Sequence, residues 1–90
     1  MEGSYKAAKG LIKVKVKVSS GIIMKIQIAG DFFMYPEDML WDLERSLLGT
    51  EISHHEILSK VGVFYDKNDI LSPGVTPEDI AEAIIRAVNG

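Results

Sequence analysis

His54 and His55 are the only imidazoles of this 90-residue chain, and they stand side by side. On a helix, adjacent side chains point about 100° apart, so the pair does not converge on one metal ion as histidines four residues apart would. They read as solvent-facing residues of a first helical turn. Asp31, Glu37 and Asp38 are near one another and could suggest paired carboxylates or a hard-cation site. Capping and helix-dipole roles explain them more simply. Lys9-Gly10 and Ser72-Pro73-Gly74 lack the spacing of a Walker loop or a dinucleotide fingerprint. No serine, lysine or tyrosine falls into a recognisable nucleophile-base arrangement, so nothing here makes a self-sufficient active site. The segment from Lys6 to Lys9 could still lend a cation to a phosphate held by another protein; otherwise it is a solvated arm.

Charge is unevenly spread. Residues 1–30 carry six lysines against Glu2, whereas residues 31–90 carry four bases against twelve acids, for a net charge of −3. A basic hairpin on an acidic body could meet a phosphate, a nucleic acid or an acidic protein surface, and its plainer reading is a solvated strand face. Nucleic-acid binding calls for aromatics interleaved with the lysines, and Lys13, Lys15, Lys17 and Lys25 have none among them. The expectation is no nucleic-acid partner.

Ninety residues with 47% hydrophobic content suit one small domain over residues 1–90. Such a chain buries only roughly 60–65% of its unfolded surface, which leaves it marginal without a partner. The absence of cysteine excludes disulfides, thiolate metal sites and a cysteine nucleophile. No run approaches the roughly 20 apolar residues of a membrane span, and Met1-Glu2-Gly3-Ser4 lacks a basic segment followed by an apolar core. A cytoplasmic protein with no membrane partner is expected.

The elements that must position these groups are legible from periodicity. From Leu11 to Val18 the chain alternates strictly, Ile12, Val14, Val16 and Val18 on one face and Lys13, Lys15 and Lys17 on the other. Ser19-Ser20-Gly21 offers a short connection in which Gly21 can take positive φ, and Ile22 to Ala29 resumes with Met24, Ile26 and Ile28 inward. The two runs predict an antiparallel hairpin. Tyr5 to Ala8 either extends the first strand or pairs as a third, with Gly10 marking a bend.

A hairpin alone is marginal in water, so helices must cover it. Pro36 suits a first helical turn, with Glu37 and Asp38 at the positive end and Met39, Leu40, Leu43 and Leu47 at helical spacing until Gly49. Ser53-His54-His55-Glu56 has the spacing of a capping box and starts a helix over about 54–65, with Ile57, Val61 and Phe64 on one face. Ile70 and Leu71 tuck back onto the core from a loop. Thr76 caps a third helix with Pro77 first, Glu78 and Asp79 next, and Ile80, Ile84 and Val88 inward. The fold class is α+β: an antiparallel hairpin of two to three strands packed against about three helices.

Phe32, Phe33, Met34, Tyr35 and Trp41 crowd the strand-to-helix hinge, more apolar surface than a domain this small can bury. Core packing is the default for Phe32 and Phe33. Tyr35 and Trp41 carry polar handles and fall off the Leu40-Leu43-Leu47 stripe, so they are candidates for a protein interface.

Taken in order, the hairpin Lys9-Gly10-Leu11-Ile12-Lys13-Val14, the junction Ile26-Gln27-Ile28-Ala29-Gly30-Asp31-Phe32-Phe33, the helix ending Leu47-Leu48-Gly49 and the start Gly74-Val75-Thr76-Pro77-Glu78-Asp79 resemble the C-terminal accessory domain of lipoate-protein ligase. The resemblance covers about Tyr5 to Val88. It implies that a large catalytic domain binds ATP and lipoate, with magnesium, while the small domain is needed to form lipoyl-adenylate (lipoyl-AMP). Beginning with its own Met and lacking a catalytic domain, the chain looks like the separate small subunit of a bipartite ligase, a heterodimer inactive without its catalytic large subunit. The acceptors so implied are the glycine cleavage H protein and E2 subunits of 2-oxoacid dehydrogenases. The alternative is a non-catalytic interaction module of similar fold. The resemblance carries over no catalytic residue; only Gly30, Asp31, Phe32 and Phe33 match a small-domain motif directly. The interface or activation residues it suggests are Lys6, Lys9, Gly30, Asp31, Phe32, Phe33, Tyr35 and Trp41, the lysine-bearing hairpin and the Phe-Phe hinge docking on the large domain to order its adenylate-binding loop.

Overall fold

The alternating run from Ile12 to Val18 is the middle strand of the computed structural model, which describes every residue from Met1 to Gly90. The chain order is β1 (Glu2–Ala7), β2 (Gly10–Ser19), β3 (Ile22–Gly30), α1 (Met39–Leu47), α2 (His54–Lys67) and α3 (Pro77–Asn89). The strands form an antiparallel sheet in the order β1-β2-β3. The N-terminal residues therefore supply a third strand, Tyr5 opposite Ile12 and Glu2 opposite Lys15.

Ile12, Val14 and Val16 are buried while Lys13, Lys15 and Lys17 are exposed, so one face of the sheet is covered and the other is open. Helix α3 packs on β1 and β2, α1 packs on β3, and α2 lies against both helices. Each fully buried Ile or Leu in the resulting cluster, such as Ile57, Ile84 or Leu43, contributes about 1.5–3 kcal/mol through burial. β1 lies almost directly on α3, because a Cβ on Gly3 would stand 2.5 Å from the Ala87 nitrogen. Ala81, Ala83 and Ala87 keep that helix face low, and the Arg86 guanidinium sits 4.8 Å above the Tyr5 ring.

β3 departs from strict alternation. Lys17 pairs with Lys25 but Val18 pairs with Ile23, which leaves Met24 as the extra residue of a bulge. One inserted residue reverses the facing of what precedes it. Ile23 is consequently fully buried and Met24 is exposed, correcting the inward placement of Met24. The turn before it places both Ser20 and Gly21 at positive φ.

Helix starts follow local chemistry to different degrees. At α3 the capping box is complete: Asp79 N–H donates to Thr76 Oγ1 at 3.2 Å and Thr76 N–H donates to the Asp79 carboxylate at 2.9 Å. At α2 it is half made, since Ser53 Oγ accepts from Glu56 N–H at 3.1 Å while Ser53 N–H goes to the Glu51 carbonyl. The buried row of α2 is Ile57, Val61 and Tyr65, with Phe64 only half-buried. α1 starts at Met39, not at Pro36; Pro36 follows a cis peptide bond, and its carbonyl accepts from Met39 N–H in a turn ahead of the helix. Asp38 occupies the cap position without a side-chain capping bond.

The end of α2 is tied to the loop before α3 through buried hydroxyls. Tyr65 Oη lies 2.7 Å from Ser72 Oγ, which donates to the Val75 carbonyl at 2.7 Å, so the phenol is the donor to Ser72. Burial pushes the Tyr65 phenol above its ordinary value of 10.0, Ser72 opposes the shift and the charge of Asp79 adds to it. The folded state thus holds this proton more tightly than the unfolded chain. Its contribution to stability is fully present below pH 10.0 and is lost as pH rises through the higher folded value. Urea unfolding of wild type and Tyr65→Phe at pH 7 and at about pH 11 should show the wild type losing more stability on alkalinisation than the variant.

Two glycine substitutions should have opposite signs. Gly30 has φ +145 and a Cβ there would collide with the Leu11 carbonyl, so Gly30→Ala is expected to cost about 2 kcal/mol or more. Gly62 sits inside α2 with open space around it, and Gly62→Ala should raise stability by about 0.5–1 kcal/mol in the same urea titration.

Candidate functional site

At one end of the sheet, β2 begins and β3 finishes side by side. A Cβ on Gly10 would meet the Asp31 carbonyl and Phe32 Cβ, and Asp31 N–H donates to the Leu11 carbonyl at 3.0 Å. Gly10 and Gly30 thereby let the chain leave β3 in contact with β2, and this fixes where the next residues go.

Residues 32–35 alternate like a strand. Phe32 packs half-buried on the core and Met34 is buried, whereas Phe33 is 72% and Tyr35 46% exposed. Phe33 is thus not a core residue, because the extended backbone gives the inward places to its two neighbours. The Phe33 and Tyr35 rings are nearly parallel, 8° apart with centroids 6.5 Å apart. Tyr35 also pairs its backbone with Leu71, N–H to carbonyl in both directions at 2.8 and 2.9 Å. Leu71 is 60% exposed. Ile70 alone takes the inward position that both residues of that loop were expected to share.

Lys9 closes the rim. Its N–H donates to the Gly74 carbonyl at 3.3 Å, and a Cβ on Gly74 would collide with the Lys9 Cβ and Cγ, so the aliphatic stem lies across Gly74. The hinge and the α2–α3 loop therefore bring Lys9, Gly30, Asp31, Phe32, Phe33 and Tyr35 to one end. Leu71 joins them although no local pattern marked it; the period-two sequence Ile70-Leu71-Ser72 was the available signal.

Lys6 and Trp41 stand apart. Lys6 projects from the open sheet face opposite Leu11. Trp41, 71% exposed, lines a groove of about 1190 Å³ with Met24, Ile26 and Leu48. A smaller groove of about 370 Å³, bounded by Ile28, Phe33 and Leu40, adjoins the hinge. Glu44 marks the boundary between the two, its carboxylate accepting the Ile28 N–H at 2.6 Å on the free edge of β3. His54 and His55 are both exposed in the first turn of α2. The assembled end is an apolar ledge with one cation, chemistry suited to recognition.

Residues 1–84 match the family model described as the bacterial lipoate protein ligase C-terminus. The chain is 41% identical over 81 residues to Lipoate-protein ligase A subunit 2 of Thermoplasma acidophilum, a match spanning 90% of this chain and 83% of that protein. It also superposes, with a TM-score of 0.85 and 38% identity, on a solved chain from that organism's archaeal lipoylation system, described as a bi-partite lipoate protein ligase and its E2 lipoyl domain. That match covers 93% of this chain and 92% of the solved one.

If the ledge is a surface and not part of the core, its aromatics should be separable by stability. Phe33→Ala is expected to change unfolding free energy by no more than about 0.5 kcal/mol, and Phe32→Ala to cost about 2 kcal/mol or more, read from urea midpoints.

Proposed function

This chain belongs to the bacterial lipoate protein ligase C-terminus family, and we propose that it is the accessory subunit of a bipartite lipoate-protein ligase, required with a separate catalytic subunit for ATP-dependent formation of lipoyl-adenylate and so for lipoylation of acceptor proteins. The observation that carries this reading is the 41% identity to a ligase subunit 2 across most of both chains. The acceptors are E2 lipoyl domains and the glycine cleavage H protein. No helix is long and apolar enough to cross a membrane, and we place the complex in the cytoplasm.

In this reading the hinge end docks on the catalytic subunit. Phe33, Tyr35 and Leu71 are the anchors, Gly30, Asp31 and Phe32 are their mount, and Lys9 presents its ammonium to a carboxylate or phosphate of the partner. The Tyr35–Leu71 bridge holds the anchors in place before contact, which lowers the ordering cost of binding. A stable interface needs roughly 800 Å² per partner, more than three side chains provide. The footprint therefore continues along the β3 edge, through the groove beside Leu40 to Trp41.

Docking raises activity only by favouring the adenylation-competent state of the catalytic subunit over its open state. Moving that equilibrium from about 1:99 to 99:1 takes roughly 5.5 kcal/mol of differential affinity. Aromatic anchors at about 2 kcal/mol or more each are of the right size. ATP, magnesium and lipoate fall to the partner. The larger groove would offer a triphosphate only exposed cationic side chains beside the carboxylates of Glu2 and Glu44, the second already bound to Ile28 N–H.

Adenylate formation from ATP and lipoate, and lipoylation of an apo-acceptor, should be measured with the catalytic subunit alone and with this chain added. Activity only with both is expected. Phe33→Ala should weaken subunit association about tenfold or more, and Lys9→Ala should lower adenylate formation. Equal activity of the catalytic subunit alone would leave the chain an interaction module of similar fold.

A further inference from the structure

We propose that a gap in the cover of the β3 edge receives an extended segment of the catalytic subunit, which adds to the sheet at Ile26; this deepens the accessory-subunit reading above and rests on it. Asp31 N–H donates to the Leu11 carbonyl and Val16 N–H to the Met1 carbonyl, so the odd-numbered residues of β2 bond to β3 and the even-numbered ones to β1. On β3 the residues bonded to β2 are then Gln27 and Ala29, opposite Lys15 and Lys13. The N–H and C=O of Ile26 and Ile28 point the other way, to the free edge, and the Ile28 N–H meets Glu44 there at 2.6 Å. The start of β3 is covered as well. Ile23 N–H donates to the Thr50 carbonyl at 2.9 Å, Gly49 N–H donates to the Ile23 carbonyl at 2.8 Å, and Ile22 bridges Glu51. Between these two covers Ile26 presents one donor and one acceptor that no group of the chain meets.

Free backbone groups beside apolar side chains are what strand addition uses: main-chain bonds give affinity, and places for alternate side chains give specificity. Met24, Trp41 and Leu48, all exposed, line one groove with Ile26. An incoming residue level with Ile26 shares its covered side and meets Trp41, whereas its neighbours stand on the open side with Lys25 and Gln27. The segment that fits is therefore apolar at the first place and carries a carboxylate beside Lys25. Glu44 ends the pairing, because it already fills the next donor. The smaller groove bounded by Ile28, Phe33 and Leu40 joins the gap to the hinge ledge, so a partner anchored on the ledge reaches Ile26 without a break. A second copy of the chain is the poorer occupant: antiparallel pairing of two β3 edges about Ile26 brings the two Lys25 residues to diagonal positions, about 7–8 Å apart.

The test is amide hydrogen exchange, read residue by residue by NMR on the isotope-labelled chain, free and saturated with the catalytic subunit. In the dilute free chain the Ile26 amide should exchange about tenfold or more faster than those of Gln27 and Ala29, which bond to β2. In the complex it should slow about tenfold or more, while the Ser4 amide, which faces the far edge of β1, keeps its rate. Ile26→Pro removes the free donor without removing a ladder bond, and thermal unfolding checks that the variant is folded. It should weaken subunit association about fivefold or more. Lys25→Glu should weaken association about threefold at about 0.05 M salt and less at about 0.5 M. An Ile26 amide already protected in the dilute free chain, or unchanged in a complex that makes adenylate, overturns the proposal. Protection that grows with the concentration of the free chain overturns it in favour of a second copy. Failure of the accessory-subunit reading is seen separately, as adenylate formation by the catalytic subunit that does not need this chain.

Discussion

A three-stranded sheet with one apolar face cannot remain uncovered in water, and every helix in this molecule is placed by that constraint. Ile12, Val14, Val16, Ile23 and Ile28 supply the face. α3 covers the β1–β2 part and α1 the β3 part, and α2, packed against both, links the two helices. Since the helices satisfy one face only, the other remains open to solvent. The open lysine face and the covered hydrophobic face are two results of the same period-two pattern.

The second constraint is where the chain leaves the sheet. The contact of Gly10 with Asp31 and of Gly30 with Leu11 has no room for a side chain. It sets the direction of residues 32–35, whose alternation sends Phe32 and Met34 inward and Phe33 and Tyr35 outward. The backbone bridge to Leu71 then ties this segment to the loop between α2 and α3, and Lys9 ties the β1–β2 turn to the same loop through Gly74. Three segments distant in sequence thus support one ledge. A surface built this way arrives at a partner already ordered, which matters for a small chain with little stability to spend on rearrangement.

Apolar and cationic surface meet in the larger groove, where Lys15, Lys17 and Lys25 stand beside Met24, Trp41 and Leu48. The ledge and the smaller groove beside it, which no lysine lines, follow the hinge and the free edge of β3. Anchored aromatics favour residence and dispersed charge favours exchange.

Much of this was legible in the residues. Alternation at Ile12 to Val18 specified β2 and its two faces, Thr76-Pro77-Glu78-Asp79 specified the start of α3, and Ser53 specified the start of α2, because each depends on groups a few residues apart. The Gly-Asp-Phe-Phe junction and the order of elements were enough to indicate the family. Other features depended on distant partners. Met24 faces out because Val18 pairs with Ile23, Phe33 is exposed because Phe32 and Met34 take the inward places, and Leu71 is exposed where its backbone pairs with Tyr35. Local periodicity determined the β2–β3 hairpin, the three helices and which face of β2 is buried; only tertiary contact decided that the N-terminal residues form a third strand, the register of β3 and the meeting of Lys9, Phe33, Tyr35 and Leu71. The physical reason is range: caps and alternation act between near neighbours, whereas a bulge, a close backbone approach and a bridge between loops depend on segments that meet only once the core has formed.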